Sequence, residues 1–277
     1  MRSRHYAFLL LRKGSPVTTA PLLTGLARTT RGSGPGLLLA HGAGGGIEAN
    51  YGPILDGLAA QHTVVGVDFP GAGKTPQSRT PLDADELADQ MVAAADAEGL
   101  ETFAVSGYSL GGPVAIRLAS RHPERVTALI LSATFAYADT RTDLAASIWQ
   151  QLHESGQHTL LARYLNLMAP SENTLNTHTP AQIQDSAEQL ASEIPPGTGD
   201  HVDLVRRIDV RADLAGIAVP TLAVITTEDP LISPALQRHL ATRISTAEIA
   251  ELPTGHLPFA ERPQQWLKLI TDFLARH

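Results

Sequence analysis

Short apolar runs alternate with helical patterns along most of this chain. Leu37-Leu38-Leu39-Ala40 and Val64-Val65-Gly66-Val67 are two such runs; Thr102 to Ser106, Ala128 to Leu131 and Thr221 to Ile225 are three more. Each is short, apolar on both faces and bounded by turn residues, which predicts parallel strands covered by helices on both sides. Helical signals fall between them. Asp83 with Glu86 three residues on is an N-terminal capping pattern, Leu87, Met91 and Ala94 continue as an apolar stripe, and Gly99 stands where a C-terminal stop belongs. A last helix is predicted from Pro263, with Trp266, Leu269, Ile270, Phe273 and Leu274 on one face. Strands alternating with helices predict a doubly wound α/β sheet.

From about Tyr137 to Asp213 the rhythm changes, and only helical pieces remain. Leu144, Ile148 and Leu152 share a face, Thr179-Pro180-Ala181-Gln182 is a helix start, and Pro195-Pro196-Gly197 breaks the chain before a further helix. An all-helical insertion between two strands of such a sheet reads as a lid over a site at the strand ends, with an ordinary helical layer on the sheet as the alternative. The expected division is a core of residues 1–136 and 214–277, with residues 137–213 as the helical lid.

The 277 residues suffice for one large core, and the absence of cysteine removes disulfides, zinc ribbons, iron–sulfur sites and cysteine nucleophiles together. It fits a reducing compartment, so a cytoplasmic location is expected. Net charge is −7 and lysine occurs only at Lys13, Lys74 and Lys268, which argues against a nucleic-acid-binding surface. The apolar run Tyr6 to Leu11 ends at Arg12-Lys13, short for a signal-peptide core, and is read as an N-terminal strand or packed arm. No apolar stretch approaches the ~20 residues needed to span a bilayer, so no membrane role is expected.

The strongest chemical signal is Gly107-Tyr108-Ser109-Leu110-Gly111, between a predicted strand and a predicted helix. A strand-to-helix turn this tight has little room for side chains beside the serine, so glycines flank it and the hydroxyl stands above the sheet edge. Several other motifs do not carry through. Gly71-Ala72-Gly73-Lys74-Thr75 ends like a phosphate-binding loop, yet Asp68 occupies the position where that loop needs its first glycine. His201 with Asp203 is too sparse for a metal site, and Asp83-Ala84-Asp85-Glu86 lacks the glycine and spacing of a calcium loop.

On these residues the chain resembles the α/β-hydrolases of the serine esterase, lactonase and cofactor-free haloperoxidase type. His41-Gly42-Ala43-Gly44 resembles the family's oxyanion loop, and Asp68-Phe69-Pro70-Gly71-Ala72-Gly73 its turn after the next strand. Asp213-Leu214 through Val219-Pro220-Thr221-Leu222 resembles the return from lid to core. Thr254-Gly255-His256, followed by Glu261-Arg262-Pro263, resembles the histidine loop and final helix. The resemblance implies the α/β-hydrolase fold, Ser109 as nucleophile, His256 as base and Asp229 as acid, with Glu228 as the alternative acid. It places the oxyanion donors at the backbone N–H groups of Ala43 and Leu110. His41 then fixes the loop rather than moving protons. The pattern departs from the family at Thr226, where glycine is common. The run Ala43 to Gly46 is unusually small, which implies extra room beside the oxyanion hole or a mobile loop.

The resemblance implies no cofactor and no metal, and serine at the elbow argues against relatives that attack through a carboxylate. The expected activity is hydrolysis of a carboxylic ester, thioester or lactone through an acyl-serine intermediate. Two alternatives stay open: acyl transfer to an amine, alcohol or thiol in a biosynthetic pathway, and a low-turnover ligand receptor. The expected partner is a small-molecule acyl substrate, free or carrier-bound, and no signature of an oligomeric state is present. Ile148, Trp149, Leu161, Tyr164 and Met168 are expected to serve chiefly in packing the lid.

Overall fold

The computed structural model describes residues 23–277; the run Tyr6 to Leu11 lies outside them. Seven strands form one sheet in the order β1-β3-β2-β4-β5-β6-β7. They are β1 (Arg28–Arg31), β2 (Gly36–Ala40), β3 (Thr63–Val67), β4 (Phe103–Tyr108), β5 (Val126–Ser132), β6 (Thr221–Thr226) and β7 (Ala247–Leu252). β1 pairs antiparallel with β3, and every other pairing is parallel. The five apolar runs of the sequence are β2 to β6. β1 and β7 lie at the sheet edges, where one flank is unpaired. β1 is Arg-Thr-Thr-Arg and β7 is half exposed, so neither carries the continuous apolar signature of a buried strand.

Successive side chains of a strand point to opposite faces, so β2 supplies two cores at once. Leu37 and Leu39 pack with Ile47, Tyr51 and Ile54 of α1 (Ile47–Ala59) and with Trp266, Ile270 and Phe273 of α11 (Pro263–Leu274). Leu38 and Ala40 face the other way, among residues of α2 (Ala84–Ala97) and α3 (Gly111–Arg121). Burying each such leucine is worth on the order of 1.5–3 kcal/mol. The capping pattern at Asp83 is realised, its carboxylate accepting the N–H groups of Asp85 and Glu86 at the start of α2. Trp266 of α11 donates Nε1–H to the buried Ser132 Oγ at 2.9 Å, which pins this helix to the end of β5.

Between β5 and β6 the chain forms five α-helices, α4 (Thr140–Glu154), α5 (His158–Met168), α6 (Glu172–Leu175), α7 (Pro180–Glu193) and α8 (Thr198–Arg207), and then a short 3-10 turn at Leu214–Gly216. α9 (Pro234–Ala241) and α10 (Pro258–Glu261) complete the fold. Thr179 and Gln182 make a reciprocal capping box at α7. The stripe of α4 turns out differently from a buried face, because Leu144 is 60% and Ile148 38% exposed. α4 instead faces inward through Thr142, Ala145 and Ala146.

The chain runs from β2 to β3 on one side and then crosses to β4 on the other, so the crevice between the C-terminal ends of β2 and β4 is a topological switch point. The loop Gly42 to Gly46 and Ser109 both leave the sheet there.

Candidate active site

Ser109 sits between β4 and α3 with φ +52°, one of two non-glycine residues with positive φ among the described residues. That left-handed conformation is costly for a residue with a Cβ, and its neighbours enforce it. A Cβ on Gly107 would strike the Gly111 carbonyl, and one on Gly111 would strike the carbonyl of Ala40 in β2. Ser109 N–H donates to Ser132 O at 3.1 Å, and Thr134 Oγ1–H donates to Ser109 O at 2.6 Å. The hydroxyl therefore stands at the sheet edge by compulsion of the backbone.

His256 reaches it from the loop after β7. Its Nδ1–H donates to Asp229 Oδ2 at 2.8 Å, which leaves Nε2 to accept the Ser109 hydroxyl at 2.9 Å. Ser109, Asp229 and His256 are all buried. Tyr108 holds the histidine loop, donating its phenol to His256 O at 2.8 Å, with the two rings 5.4 Å apart. Burial, with Asp229 close by, pushes the Tyr108 phenol well above its usual range, so it stays a donor.

Asp229 follows β6 in a tight turn. Its Oδ1 accepts the N–H groups of Leu231 and Ile232 at 2.9 and 2.8 Å. Its Oδ2 accepts Thr226 Oγ1–H at 2.9 Å and Gln237 Nε2–H at 3.2 Å, besides His256. Thr226, where glycine is common in the family, thus contributes a donor to the carboxylate. Gln237 of α9 also donates to Thr226 Oγ1 at 2.8 Å and accepts Thr226 N–H at 3.0 Å. Glu228 points elsewhere and accepts from Asn173 Nδ2 at 3.3 Å. Gln237 has no local signal in the sequence, because Thr226 and Asp229 stand 11 and 8 positions before it, beyond any helical or turn spacing.

The loop after β2 is held by two histidines. His41 donates Nδ1–H to Gly42 O and accepts Phe69 N–H at Nε2, both at 2.8 Å. Burial, reinforced by His201 nearby, pushes His41 down to about 3, so it is a neutral tether. His201 of α8 accepts Gly44 N–H at Nδ1, 3.2 Å away, and donates Nε2–H to Pro70 O at 3.0 Å. Burial lowers its pKa as well. The N–H groups of Ala43 and Leu110 have no hydrogen-bond partner among the described residues. The room that the small residues 43–46 leave is taken from the insertion: a Cβ on Gly44 would lie 2.9 Å from Trp149 Cζ2.

Segment 169–174 of the insertion meets the histidine loop. Glu261 accepts Gly255 N–H at 3.0 Å, Ser171 N–H at 3.1 Å, Ser171 Oγ–H at 2.6 Å and Thr174 Oγ1–H at 2.9 Å. His256 N–H donates to Ala169 O at 2.6 Å. Beside Ser109 lies a partly enclosed, mainly apolar cavity of about 30 Å³, walled by Ala43 and Phe135 from the core and by Trp149 and Val202 from α4 and α8.

A base in contact with a hydroxyl, an acceptor behind the base, and two unengaged N–H donors in the flanking turns are the parts that acyl transfer requires. No group of three or more metal-ligating side chains occurs among the described residues, and no helix among them is long and apolar enough to cross a membrane.

Residues 35–263 match the family model described as alpha/beta hydrolase fold. A pyrrolizixenacetamide deacetylase of Xenorhabdus hominickii is 31% identical over 245 residues, covering 88% of this chain and 92% of that relative. A pimeloyl-[acyl-carrier protein] methyl ester esterase of Aromatoleum aromaticum is 30% identical over 257 residues, covering 86% and 97%. The crystal structure of MGS-M2, an alpha/beta hydrolase enzyme from a Medee basin deep-sea metagenome library, superposes with a TM-score of 0.84 over 91% of this chain and 94% of that one, at 16% identity. The chain belongs to the alpha/beta hydrolase fold family and is an enzyme of that family.

Proposed function

We propose that this protein is a serine hydrolase that cleaves a carboxylic ester, thioester or lactone through an acyl-serine intermediate. The observation that carries this reading is the continuous hydrogen-bonded line from Ser109 Oγ through His256 to Asp229, with separations of 2.9 and 2.8 Å. In the first half-reaction, Ser109 Oγ bonds to the acyl carbon while its proton passes to His256 Nε2. The bond from carbon to the leaving heteroatom then breaks, and that heteroatom takes the proton from Nε2. The unengaged N–H groups of Ala43 and Leu110 receive the negative oxygen of the tetrahedral intermediate. Water, deprotonated by His256, then attacks the acyl-serine; the carboxylic acid leaves, and the proton returns to Ser109. Asp229 fixes the Nδ1–H tautomer and stabilises the imidazolium.

Residues 137–213 form the cap of this site, since Trp149, Val202 and Val205 from α4 and α8 wall the cavity beside Ser109. The relatives named for ester cleavage and deacetylation support an acyl-bond substrate, small or carrier-bound.

The test is intact-mass analysis after reaction with a fluorophosphonate probe. One adduct is expected on the wild-type protein and none on Ser109→Ala, with folding retained. Undiminished labelling of that variant would sink the assignment, and an acyl-enzyme discharged only by an added amine, alcohol or thiol would make the enzyme an acyltransferase.

A further inference from the structure

The cavity beside Ser109 is small enough to select its substrate. At about 30 Å³ it has the size of roughly two or three water molecules. A methyl or ethyl group fits such a space; a butyl chain exceeds it. Its wall is fixed on several sides, because Ala146 and Val202 are buried in the core that α4 and α8 share with the sheet. Trp149 closes it against the oxyanion loop, with its Cζ2 beside Gly44. Apart from Ser109, the polar groups in the wall are the Thr142 hydroxyl and the indole N–H of Trp149, which is buried without a hydrogen-bond partner among the described residues.

The direction of the reaction decides which half of the substrate enters. The leaving heteroatom must take its proton from His256 Nε2, so the leaving group lies against His256. His256 is not part of the cavity wall, whereas Ser109 and Ala43, on either side of the acyl carbon, are. The substituent on the acyl carbon is therefore the group that points into the cavity.

Resting on Ser109 as the nucleophile, we propose that this cavity is the acyl pocket and that it restricts the enzyme to apolar acyl groups of two or three carbons, with Trp149 setting the limit. Longer chains would have to displace Trp149 or distort a packed wall, a strain that costs about one to two powers of ten in rate. On this reading the enzyme is a short-chain deacylase.

The test uses the full-length enzyme with p-nitrophenyl acetate, butyrate and octanoate, following kcat/KM and the mass of the Ser109 adduct. Octanoate should react about 10- to 100-fold more slowly than acetate. Trp149→Ala should raise the octanoate rate at least about tenfold relative to acetate, and Ala146→Val should lower butyrate relative to acetate. Equal rates along the wild-type series would overturn the acyl limit while leaving the nucleophile in place. So would a Trp149→Ala variant that scales all three esters alike. No Ser109 adduct with any ester would instead overturn the nucleophile assignment, and the pocket with it.

Discussion

Gly44 and His201, 157 positions apart in the chain, meet in one hydrogen bond: the Gly44 N–H donates to His201 Nδ1 at 3.2 Å. Because His201 also donates to Pro70 O, a single buried imidazole ties α8 to the loops that follow β2 and β3. Ala43, whose N–H is unengaged, immediately precedes Gly44. The insertion therefore holds the loop that carries the unengaged Ala43 N–H, besides walling the cavity.

That relationship separates two amide substitutions. His201→Asn retains an acceptor near Nδ1 for Gly44, whereas His201→Gln retains a donor near Nε2 for Pro70 but not the Gly44 acceptor. Losing one such hydrogen bond is worth about 1 kcal/mol, so His201→Gln should lower kcat about three- to tenfold with KM little changed. His201→Asn should lose less. Equal losses in both, tracking a fall in thermal stability, would mean that His201 only packs.

His41 and His201 also make stability depend on pH in a definite direction. Their pKa values are depressed in the fold, His41 to about 3, so both stay neutral while the unfolded chain protonates below ~6.5. Protons thus favour the unfolded state. The stabilising contribution is whole above ~6.5 and is lost as pH falls toward the folded values, at up to about 1.4 kcal/mol per pH unit for each histidine. Urea midpoints should drop between pH 7 and 5, and the drop should be shallower in His201→Asn. An unchanged slope in that variant would refute the assignment.

Asp229 and Glu228 are neighbours with different surroundings, and turnover should tell them apart. Asp229→Asn should lower kcat by on the order of 10³–10⁴-fold, because the amide favours the wrong His256 tautomer and lacks the charge. Glu228→Gln should have a small effect, since Glu228 bonds Asn173 at the surface. The opposite ranking would move the acid to Glu228.

Glu261 clamps the insertion to the histidine loop through four accepted hydrogen bonds. In Glu261→Gln an NH₂ group faces donors where a carboxylate oxygen accepted them. A loss of about 1.5–3 kcal/mol is expected in denaturant titration, accompanied by a lower kcat as His256 loses its support. A variant with wild-type stability and turnover would show that the clamp is dispensable.

Much of the architecture is legible because its causes are local. A parallel strand buried on both faces must be an apolar run, and β2 to β6 are such runs. β1 and β7 leave no such mark, being sheet edges with less to bury. The helical content of the insertion also shows in its caps, at Thr179 for example, but its orientation does not. The stripe of Leu144 and Ile148 faces outward, and Trp149, one residue on, belongs to the cavity.

The sequence by itself determined the chain order of β2 to β6 and the helices between them, a serine in a turn that only glycines can flank, and a histidine and acids after later strands. These follow from periodicity, backbone crowding and chain order, all readable within a few residues. The tertiary structure alone decided that Asp229 rather than Glu228 faces His256, that Thr226 and Gln237 hold Asp229, that His201 holds Gly44, and that Trp149 narrows the space beside Ser109. Apart from Thr226, which stands three residues before Asp229 in the same turn, these are residues that distinct elements bring together. A hydrogen bond or a cavity wall depends on separations of about 3–4 Å, and such separations between residues remote in sequence are set only when the helices and the sheet pack.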